Sequence, residues 1–272
     1  AILQSLGPNG RLLALDRDPQ AVAHAQERFA NEPRFEIVRA AFSGLRQVLE
    51  ERELMNKVSG VLMDIGVSSP QLDDADRGFS FLRDGPLDMR MDTDSGVDAA
   101  TWLRQVDEPT LTRVLREYGE ERFAKRIAAA IVARGREAPL HTTGELAALI
   151  ESVIGRREPG QHPATRSFQA IRIAINNELE ELDEALVQAV DALEPGGRCA
   201  VISFHSLEDR RVKRYFRDRS QGPKIPRGLP ISEAQRQGTD LKLVGKAIRA
   251  SKAECADNPR ARSAIMRVAE KC

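Results

Sequence analysis

Cysteine is scarce in this chain, and the sequence features of several common protein classes are missing. The three cysteines at positions 199, 255 and 272 are far apart and fit neither a disulfide framework nor a CxxC metal pair. No apolar run approaches the roughly 18 residues that a membrane span requires. We recognise no signal peptide, so we expect a cytoplasmic protein that makes no membrane contact.

Two kinds of site are also disfavoured by what the sequence lacks. The acids of residues 73–92 are numerous, but they lack the glycine and the distal glutamate of a calcium loop, so we expect no metal. Ser206, His205 and Asp209 suggest a hydrolase, yet they lie too close together at one strand end to form a relay. The sequence has no Gly-x-Ser-x-Gly elbow, and we reject that interpretation.

The charge of the chain is balanced in total but uneven along its length. The chain has 272 residues and a net charge of zero, and its 30% charged and 41% hydrophobic content is ordinary for a soluble globular protein. Residues 198–272 contain 18 lysines and arginines against 8 aspartates and glutamates, a net charge of +10. This asymmetry fits either a face that binds a polyanion or a salt-bridged surface.

The most informative stretch is residues 60–73. Its apolar start, interrupted by Asp64 and closed by Gly66, predicts a strand buried on both faces, as in a parallel α/β sheet. The polar segment that follows contains Ser69 and Pro70 and predicts a turn. Because open α/β sheets bind ligands at the carboxyl ends of their strands, we expect this stretch to bring an acid and a polar loop into a crevice.

Strands and helices alternate ahead of this stretch. The predicted elements are strands at residues 11–15 and 34–38 and helices at residues 19–30 and 45–54. This order is typical of an α/β protein with a parallel, doubly wound sheet. Asp16 ends the first strand, where a carboxylate can accept hydrogen bonds from both hydroxyls of a cofactor ribose. NAD dehydrogenases share this feature with S-adenosylmethionine enzymes, and Asp16 as a plain helix cap is the alternative.

Residues 73–98 predict a long loop that contains two phenylalanines. Phe79 and Phe81 lie beside the expected crevice, where aromatic rings can stack on a flipped base. They can equally pack the loop onto the sheet. The sequence does not decide between these two roles.

The second half of the chain begins with helices and ends with strands. Residues 98–157 show helical spacing without a strand signal, which predicts an all-helical insertion. The strongest periodicity, from Phe168 to Leu193, predicts one long helix ended by Pro195-Gly196-Gly197. The remaining predicted elements are a buried strand at residues 198–204, a basic helix at 212–217 and a closing antiparallel pair at 241–246 and 263–270.

Several longer strings resemble one bacterial family among the class I S-adenosylmethionine-dependent methyltransferases, the ribosomal RNA small subunit methyltransferase H family. The resemblance runs essentially end to end. The strings are Asp16-Arg17-Asp18-Pro19, Asp64-x-Gly66-Val67-Ser68-Ser69-Pro70-Gln71-Leu72-Asp73, Arg77-Gly78-Phe79-Ser80-Phe81, Gly85-Pro86-Leu87-Asp88-Met89-Arg90-Met91, Tyr118-Gly119-Glu120-Glu121-Arg122, His162-Pro163-Ala164-Thr165-Arg166 and Ser203-Phe204-His205-Ser206-Leu207-Glu208-Asp209-Arg210.

The resemblance implies a class I (Rossmann-like) methyltransferase fold with a mostly parallel sheet, a closing antiparallel pair and a helical insertion. It implies transfer of a methyl group from S-adenosylmethionine to N4 of a cytidine in the decoding region of 16S ribosomal RNA. The methyltransferase domain would comprise residues 1–97 and 162–272, and residues 98–161 would be the substrate-recognition insertion. The family also has a first strand and a glycine-rich loop ahead of the position of Ala1, so we expect the chain to be part of a longer protein.

The resemblance also assigns roles to single residues. Asp16, Phe42, Asp64 and Gln71 would bind the cofactor. We expect Asp64, Ser69 and Pro70 to be catalytic, and the candidates for substrate binding are Arg77, Phe79, Phe81, Arg90 and His205. The partner would be 16S ribosomal RNA or the small ribosomal subunit. The sequence does not determine the oligomeric state, for which a homodimer is one option.

The chemistry of N4 methylation sets what the site must do. The amino nitrogen of cytosine is a poor nucleophile because its lone pair is delocalised into the ring, so positioning and electrostatics carry most of the rate. We expect Ser69 and the backbone carbonyls around Pro70 to hold N4 while Asp64 orders the site. Two rivals are a Rossmann dehydrogenase, suggested by Asp16, and a non-catalytic ribosome-binding protein that uses the basic C-terminal third.

Overall fold

The structure is a computed structural model that describes residues 1–155, 162–222 and 239–272. The chain forms two compact units. The first comprises Ala1–Asp16, Val22–Gly66 and Leu179–Cys272, and the second comprises Arg17–Ala21 and Val67–Glu178. In the described part of the chain, no helix combines the length and the apolar character that crossing a bilayer requires.

The N-terminal segment forms a small parallel β-α-β arrangement, as the sequence predicts. A one-turn helix, α1 (Ile2–Ser5), precedes strand β1 (Leu12–Asp16), helix α2 (Pro19–Arg28) and strand β2 (Phe35–Arg39). β1 and β2 pair in parallel, with Leu12 opposite Phe35 and Asp16 opposite Arg39. α2 begins with Pro19, whose fixed φ suits the first turn of a helix. Phe42–Gly44 then forms a 3-10 turn, and α3 (Leu45–Glu50) follows.

A second sheet of the first unit is built around β3 (Val58–Asp64) and β4 (Leu193–Ser203), which run parallel. β4 also pairs with β7 (Ile265–Lys271) in antiparallel register, and β7 pairs with β5 (Leu241–Leu243). The predicted closing antiparallel pair is confirmed. The two-residue strand β6 (Ile248–Arg249) and helix α12 (Lys252–Asp257) were not predicted from the sequence.

The expectation that β3 is buried on both faces is wrong. Met63 is 6% exposed, whereas its neighbour Leu62 is 51% exposed. Successive side chains of a strand point to opposite faces of the sheet. The Met63 face belongs to the apolar core of the first unit, which also contains Leu186 of helix α10 (Glu178–Ala192) and Phe216 of helix α11 (Ser206–Gln221). Among the described residues, β3 pairs only with β4, and no apolar cluster covers Leu62.

The second unit is helical except for its N-terminal segment. A single turn, α4 (Ser69–Asp73), is followed by a mostly irregular segment and then by helices from residue 99 onward. The helices are α5 (Ala99–Gln105), α6 (Glu108–Gly119), α7 (Ala124–Glu137), α8 (Thr143–Ile154) and α9 (Thr165–Asn176). The helical prediction for residues 98–157 is thus confirmed where the structure describes them. Whether this region recognises the substrate stays a prediction.

Polar side chains set where several of these helices begin. Asp98 and Asp107 accept hydrogen bonds from the backbone N–H groups of Thr101 and Thr110, at N–O distances of 2.7 and 2.8 Å. Thr142 and Glu145 form a reciprocal capping box at the start of α8. Each cap satisfies N–H groups that would otherwise lack a partner in the first helical turn.

The single long helix predicted from Phe168 to Leu193 is wrong, because the chain breaks between α9 and α10. Asn177 has a φ of +52°, in the left-handed region that asparagine tolerates better than most residues. The apolar spacing continues across the break and hides it. The predicted Pro195-Gly196-Gly197 turn also lies inside β4, whose pairing with β3 is irregular between Val58 and Gly60.

Candidate active site

Two acids of the first unit lie at the carboxyl ends of parallel strands, as the sequence predicts. Asp16 is the last residue of β1, and Asp64 is the last residue of β3. The backbone carbonyl of Asp16 accepts a hydrogen bond from Ala40 at 3.0 Å, which fixes the chain after β2 beside the end of β1. Phe42 follows in the next turn and packs against the apolar core of the first unit. The backbone thus places three of the predicted cofactor residues at strand ends or directly after them.

Asp64 has an unusual electrostatic environment. The pKa of its carboxyl is raised from the ordinary value of 3.8, first because surrounding protein atoms displace water from it. A second cause is the nearby carboxylate of Glu208, a like charge that disfavours ionisation of Asp64. The acid at the end of β3 is therefore affected by an acid in the first turn of the helix that follows the neighbouring parallel strand, and the sequence analysis considered only Asp64.

Glu208 is held by the first turn of α11. It is 2% exposed, and its Oε2 accepts hydrogen bonds from the backbone N–H groups of Phe204 and His205 at 2.8 and 3.2 Å. His205 is the N-cap of this helix, and the spacing His205-x-x-Glu208 forms a capping box. The Nε2 of His205 lies 3.1 Å from Oε1 of Glu208, and the His205 side chain is only 12% exposed. His205 thus has a local role in starting α11, and its predicted contact with the substrate stays untested.

The turn after β3 has a well-defined start in the second unit. Ser68 is the N-cap of α4, and Gln71 completes a capping box with it: the amide oxygen of Gln71 accepts from the backbone N–H of Ser68 at 2.9 Å. Ser69 and Pro70 occupy the first turn and are exposed. The carbonyl oxygens of Ser68 and Pro70 already accept the N–H groups of Leu72 and Asp74, at 3.2 and 3.0 Å.

A buried polar network supports this turn. The Oδ2 of Asp18 accepts hydrogen bonds from Nε2 of Gln71 and from Nη1 of Arg77, both at 2.7 Å, while Oδ1 accepts from the backbone N–H of Gln20 at 2.9 Å. The side chains of Arg77 and Asp18 are 5% and 4% exposed. Both polar ends of the Gln71 side chain are therefore bound within the protein. One amide N–H remains for the cofactor contact that the sequence predicts.

Arg77 also ties the irregular segment to the rest of the network. Its Nη2 donates to the carbonyl oxygens of Arg90 and Met91 at 3.1 and 3.0 Å. The carboxamide of Asn176 completes the anchoring, since it donates to the carbonyl of Met89 at 2.7 Å and accepts from the N–H of Met91 at 2.8 Å. The burial of Arg77 and its partners within the protein favour a role in positioning the loop. Its predicted contact with the substrate stays untested.

The two loop phenylalanines pack inward. Phe79 is 6% exposed and belongs to the apolar core of the second unit. The ring of Phe81 lies edge-on to Phe168 at a centroid distance of 4.8 Å and 4.5 Å from the ring of His162. These contacts favour the packing role over base stacking, although the rings pack on helices of the second unit and not on a sheet. Base stacking by Phe79 would need the loop to open.

Arg90 is partly exposed. Its side chain is 22% exposed and forms a bidentate pair with Asp88, with both N–O distances at 2.8 Å. This pair raises the pKa of the Arg90 guanidinium, mainly through the hydrogen bonds to Asp88. This arrangement is compatible with the predicted substrate contact if the guanidinium of Arg90 binds Asp88 and the substrate at the same time.

The sequence analysis missed Asp18, Asn176 and Glu208 as parts of the site. For Glu208 the local signal was weak, because the residue three positions before it is a histidine, which is not among the usual N-cap residues. The Oδ1 of Asp18 accepts from the backbone N–H of Gln20, which is a local contact. Its second oxygen pairs with residues more than fifty positions away, and no local pattern encodes such contacts.

Comparison with known proteins agrees with this geometry. Residues 1–272 match the family described as the MraW methylase family. The chain is also 56% identical over 270 residues to "Ribosomal RNA small subunit methyltransferase H" of Thioalkalivibrio sulfidiphilus (strain HL-EbGR7). That match covers 99% of this chain and 86% of the relative. The predicted Rossmann-like α/β methyltransferase fold is confirmed, and the chain belongs to the MraW methylase family.

Proposed function

We propose that this chain transfers a methyl group from S-adenosylmethionine to N4 of a cytidine in the decoding region of 16S ribosomal RNA. The observation that carries the proposal is the match to a methylase family over the whole chain. A relative named as a ribosomal RNA small subunit methyltransferase, 56% identical to this chain, supports the substrate class. Acids at the ends of β1 and β3 are in keeping with a class I cofactor site.

The residues of the first unit fit S-adenosylmethionine. The carboxylate of Asp16 can accept hydrogen bonds from the ribose hydroxyls, and Phe42 offers an apolar ring to the adenine. Gly66 has a φ of +92°, a conformation that glycine adopts most readily, and it turns the chain soon after Asp64. When bound, the cofactor supplies an electrophilic methyl group on a positively charged sulfur. Asp64 can bind its polar groups.

The task of this chain is to hold the cytosine amino group. A hydrogen-bond acceptor must orient the N–H bonds so that the nitrogen lone pair faces the methyl group. We propose that the exposed hydroxyl of Ser69 is one acceptor and that the backbone carbonyls around Pro70 are others. The carbonyl oxygens of Ser68 and Pro70 each accept one N–H of α4 and have a second lone pair. Pro70 then acts by fixing the first turn of α4.

Asp64 at the end of β3 and Glu208 in the first turn of α11 suit a site where charge changes during the reaction. N4 becomes positively charged as it is methylated and then loses a proton. A carboxylate at Asp64 stabilises that positive charge, and the like charge of Glu208 strengthens the local negative potential.

The direct test is methylation of small ribosomal subunits from a strain that lacks this activity. The protein, S-adenosylmethionine with a labelled methyl group and the subunits are incubated together, and the ribosomal RNA is digested to nucleosides. We expect label in N4-methylcytidine, located to the decoding region by fragment mass analysis. Methylation of another atom or another RNA would contradict the proposal. Binding of subunits without methyl transfer would favour the ribosome-binding alternative, and binding of NADH with a change in nicotinamide fluorescence would favour the dehydrogenase.

Three further points belong to this proposal. Residues 98–161 would recognise the substrate, while residues 1–97 and 162–272 would carry the methyltransferase chemistry. The protein would act in the cytoplasm, where ribosomal subunits are assembled. A homodimer stays a prediction that light scattering of the purified protein can check.

A further inference from the structure

Helix α11 of the first unit has two faces of opposite character. Its inner face carries Val212 and Phe216, which are 0% and 1% exposed and belong to the apolar core. Two acids at its start are used within the unit. Glu208 caps the helix, and Asp209 pairs with Arg267 of β7 at N–O distances of 2.7 and 3.0 Å. These contacts fix which side of α11 faces outward.

The outer face of α11 carries a row of basic side chains, which we call the α11 basic stripe. Its members are Arg210, Lys213, Arg214 and Arg217. Positions i, i+3, i+4 and i+7 lie on one side of a helix. The first three residues are exposed, and the Arg217 side chain is 41% exposed beside Asp218.

The two other basic residues of α11 behave differently. Arg211 forms a salt bridge with Asp183 of α10, and Arg219 forms one with Asp240 just before β5. These pairs are the salt-bridged surface that the sequence allowed as one reading of the basic C-terminal third. The α11 basic stripe supports the other interpretation, in which the basic C-terminal third contains a face that binds a polyanion.

The position of the stripe relates it to the candidate site within the same unit. α11 begins three residues after β4 ends at Ser203, and Asp64 lies opposite Ile202 in the β3–β4 register. The stripe therefore starts close to the strand ends that carry the acids. Its seven-residue length corresponds to about 10 Å of helix, which is long enough to lie along more than one backbone phosphate of a nucleic acid.

We propose that the α11 basic stripe binds consecutive backbone phosphates of the RNA substrate. Like charges three and four residues apart oppose helix formation, and bound phosphates would add negative charge to the acid that already lies beside Arg217. A row of phosphates supplies negative charge, and such contacts fix the register of a nucleic acid without reading its bases. The inference deepens the function proposed above and rests on it.

The test compares RNA binding by two variants that lose the same charge. The first is Lys213→Ala/Arg214→Ala in the stripe. The control is Arg11→Ala/Lys57→Ala, two exposed residues directly ahead of β1 and β3, at the opposite strand ends. Binding of a fluorescein-labelled single-stranded RNA is followed by anisotropy from about 0.1 to 1 M salt, a range over which counterion release dominates affinity.

We expect the stripe variant to have a salt slope shallower by about 1.4 to 1.8, since each lost phosphate contact removes about 0.7 to 0.9. This corresponds to a loss of affinity of about 25- to 60-fold at the low-salt end and almost none at the high-salt end. The control should bind as the parent does, and Lys213→Arg/Arg214→Lys should retain binding. With small subunits as substrate, the stripe variant should have a raised KM and an unchanged kcat, and its affinity for S-adenosylmethionine should be unchanged.

Three results would overturn the inference. They are equal salt slopes for the stripe variant and the parent, an equal loss in the control, or tighter binding of the stripe to vesicles of phosphatidylglycerol than to RNA. The proposed function fails in a different way, namely if the parent protein transfers no methyl group to small subunits. A slope difference in such a protein would still support phosphate binding by the stripe.

Discussion

The buried pair of Asp18 and Arg77 offers the sharpest test of how the turn that contains Ser69 is held. Replacing Arg77 with methionine keeps most of the side-chain volume and removes the charge. The carboxylate of Asp18 then keeps its hydrogen bonds from Gln71 and Gln20 but loses its counter-charge in a site that is 4% exposed. The carbonyl oxygens of Arg90 and Met91 also lose their donor.

The expected loss of stability follows from these contacts. Breaking a buried ion pair by removing one partner costs about 3–5 kcal/mol, because the remaining charge is left uncompensated. Removing both charges, in Asp18→Asn/Arg77→Met, avoids that penalty. We therefore expect the double variant to be more stable than Arg77→Met alone, with a coupling of about 1–3 kcal/mol. The exposed pair of Arg113 and Glu117 is the control, and Arg113→Met should cost about 0.5 kcal/mol or less.

The single tryptophan makes the measurement specific to the second unit. Trp102 lies in α5 and packs against the core of that unit, so its fluorescence during urea unfolding reports the part of the chain that contains Asp18 and Arg77. A loss of 3–5 kcal/mol lowers the urea midpoint by about 2 M for a typical slope. A loss below about 1 kcal/mol in Arg77→Met, or strictly additive effects in the double variant, would refute the reasoning.

Three other substitutions test separate features. Because the pKa of Asp64 is raised, the native state keeps its proton to a higher pH than the unfolded chain does, so Asp64 lowers stability as the pH rises above 3.8. In urea unfolding at pH 7, Asp64→Asn should be more stable than the parent, and this gain in stability should shrink towards pH 4. The variant should also lose methyl transfer. A gain in stability that does not depend on pH would contradict this reasoning. Ser69→Ala should lower kcat by about tenfold or more, as one hydrogen bond to the nucleophile is worth roughly that factor, with an unchanged circular dichroism spectrum; full turnover would remove Ser69 from the mechanism. Gly119→Ala should destabilise the second unit by about 1–3 kcal/mol, because its Cβ would lie 2.6 Å from the carbonyl oxygen of Arg166. The control is Gly135→Ala in α7, whose Cβ would meet nothing within 4 Å, so it should be neutral or stabilising. Urea unfolding followed by Trp102 fluorescence measures both variants.

Local sequence patterns predicted most of the elements of this fold. The apolar runs ending at Asp16 and Asp64 gave strands, and the polar caps gave helix starts, because each depends on residues within a few positions. Register with β4 and the irregular start of that strand at Leu193 were not predictable, since they depend on pairing over more than a hundred residues. The break at Asn177 was missed because apolar spacing reports the buried side of a segment and not the continuity of its backbone.

The candidate site was predictable in its strand-end acids and less so in its loop. Arg77 and the two loop phenylalanines were assigned to substrate because they are a cation and aromatics beside a crevice. In the structure Arg77 and Phe79 are buried and Phe81 packs on Phe168. A sequence does not distinguish an exposed arginine from one that serves buried carbonyls. That difference is set by Asp18, which reaches Arg77 only through the fold.

The irregular segment after α4 explains why this unit has so many buried polar side chains. A chain in neither helix nor sheet has backbone N–H and C=O groups that need other partners when they are buried. Arg77 donates to the carbonyls of Arg90 and Met91, and Asn176 donates to the carbonyl of Met89 while it accepts from the N–H of Met91. The same guanidinium pairs with Asp18, whose other partner is Gln71 in the cap of α4. The same network therefore holds the loop and orients the turn with Ser69, so a substitution in it should alter kcat even though its charged side chains are buried.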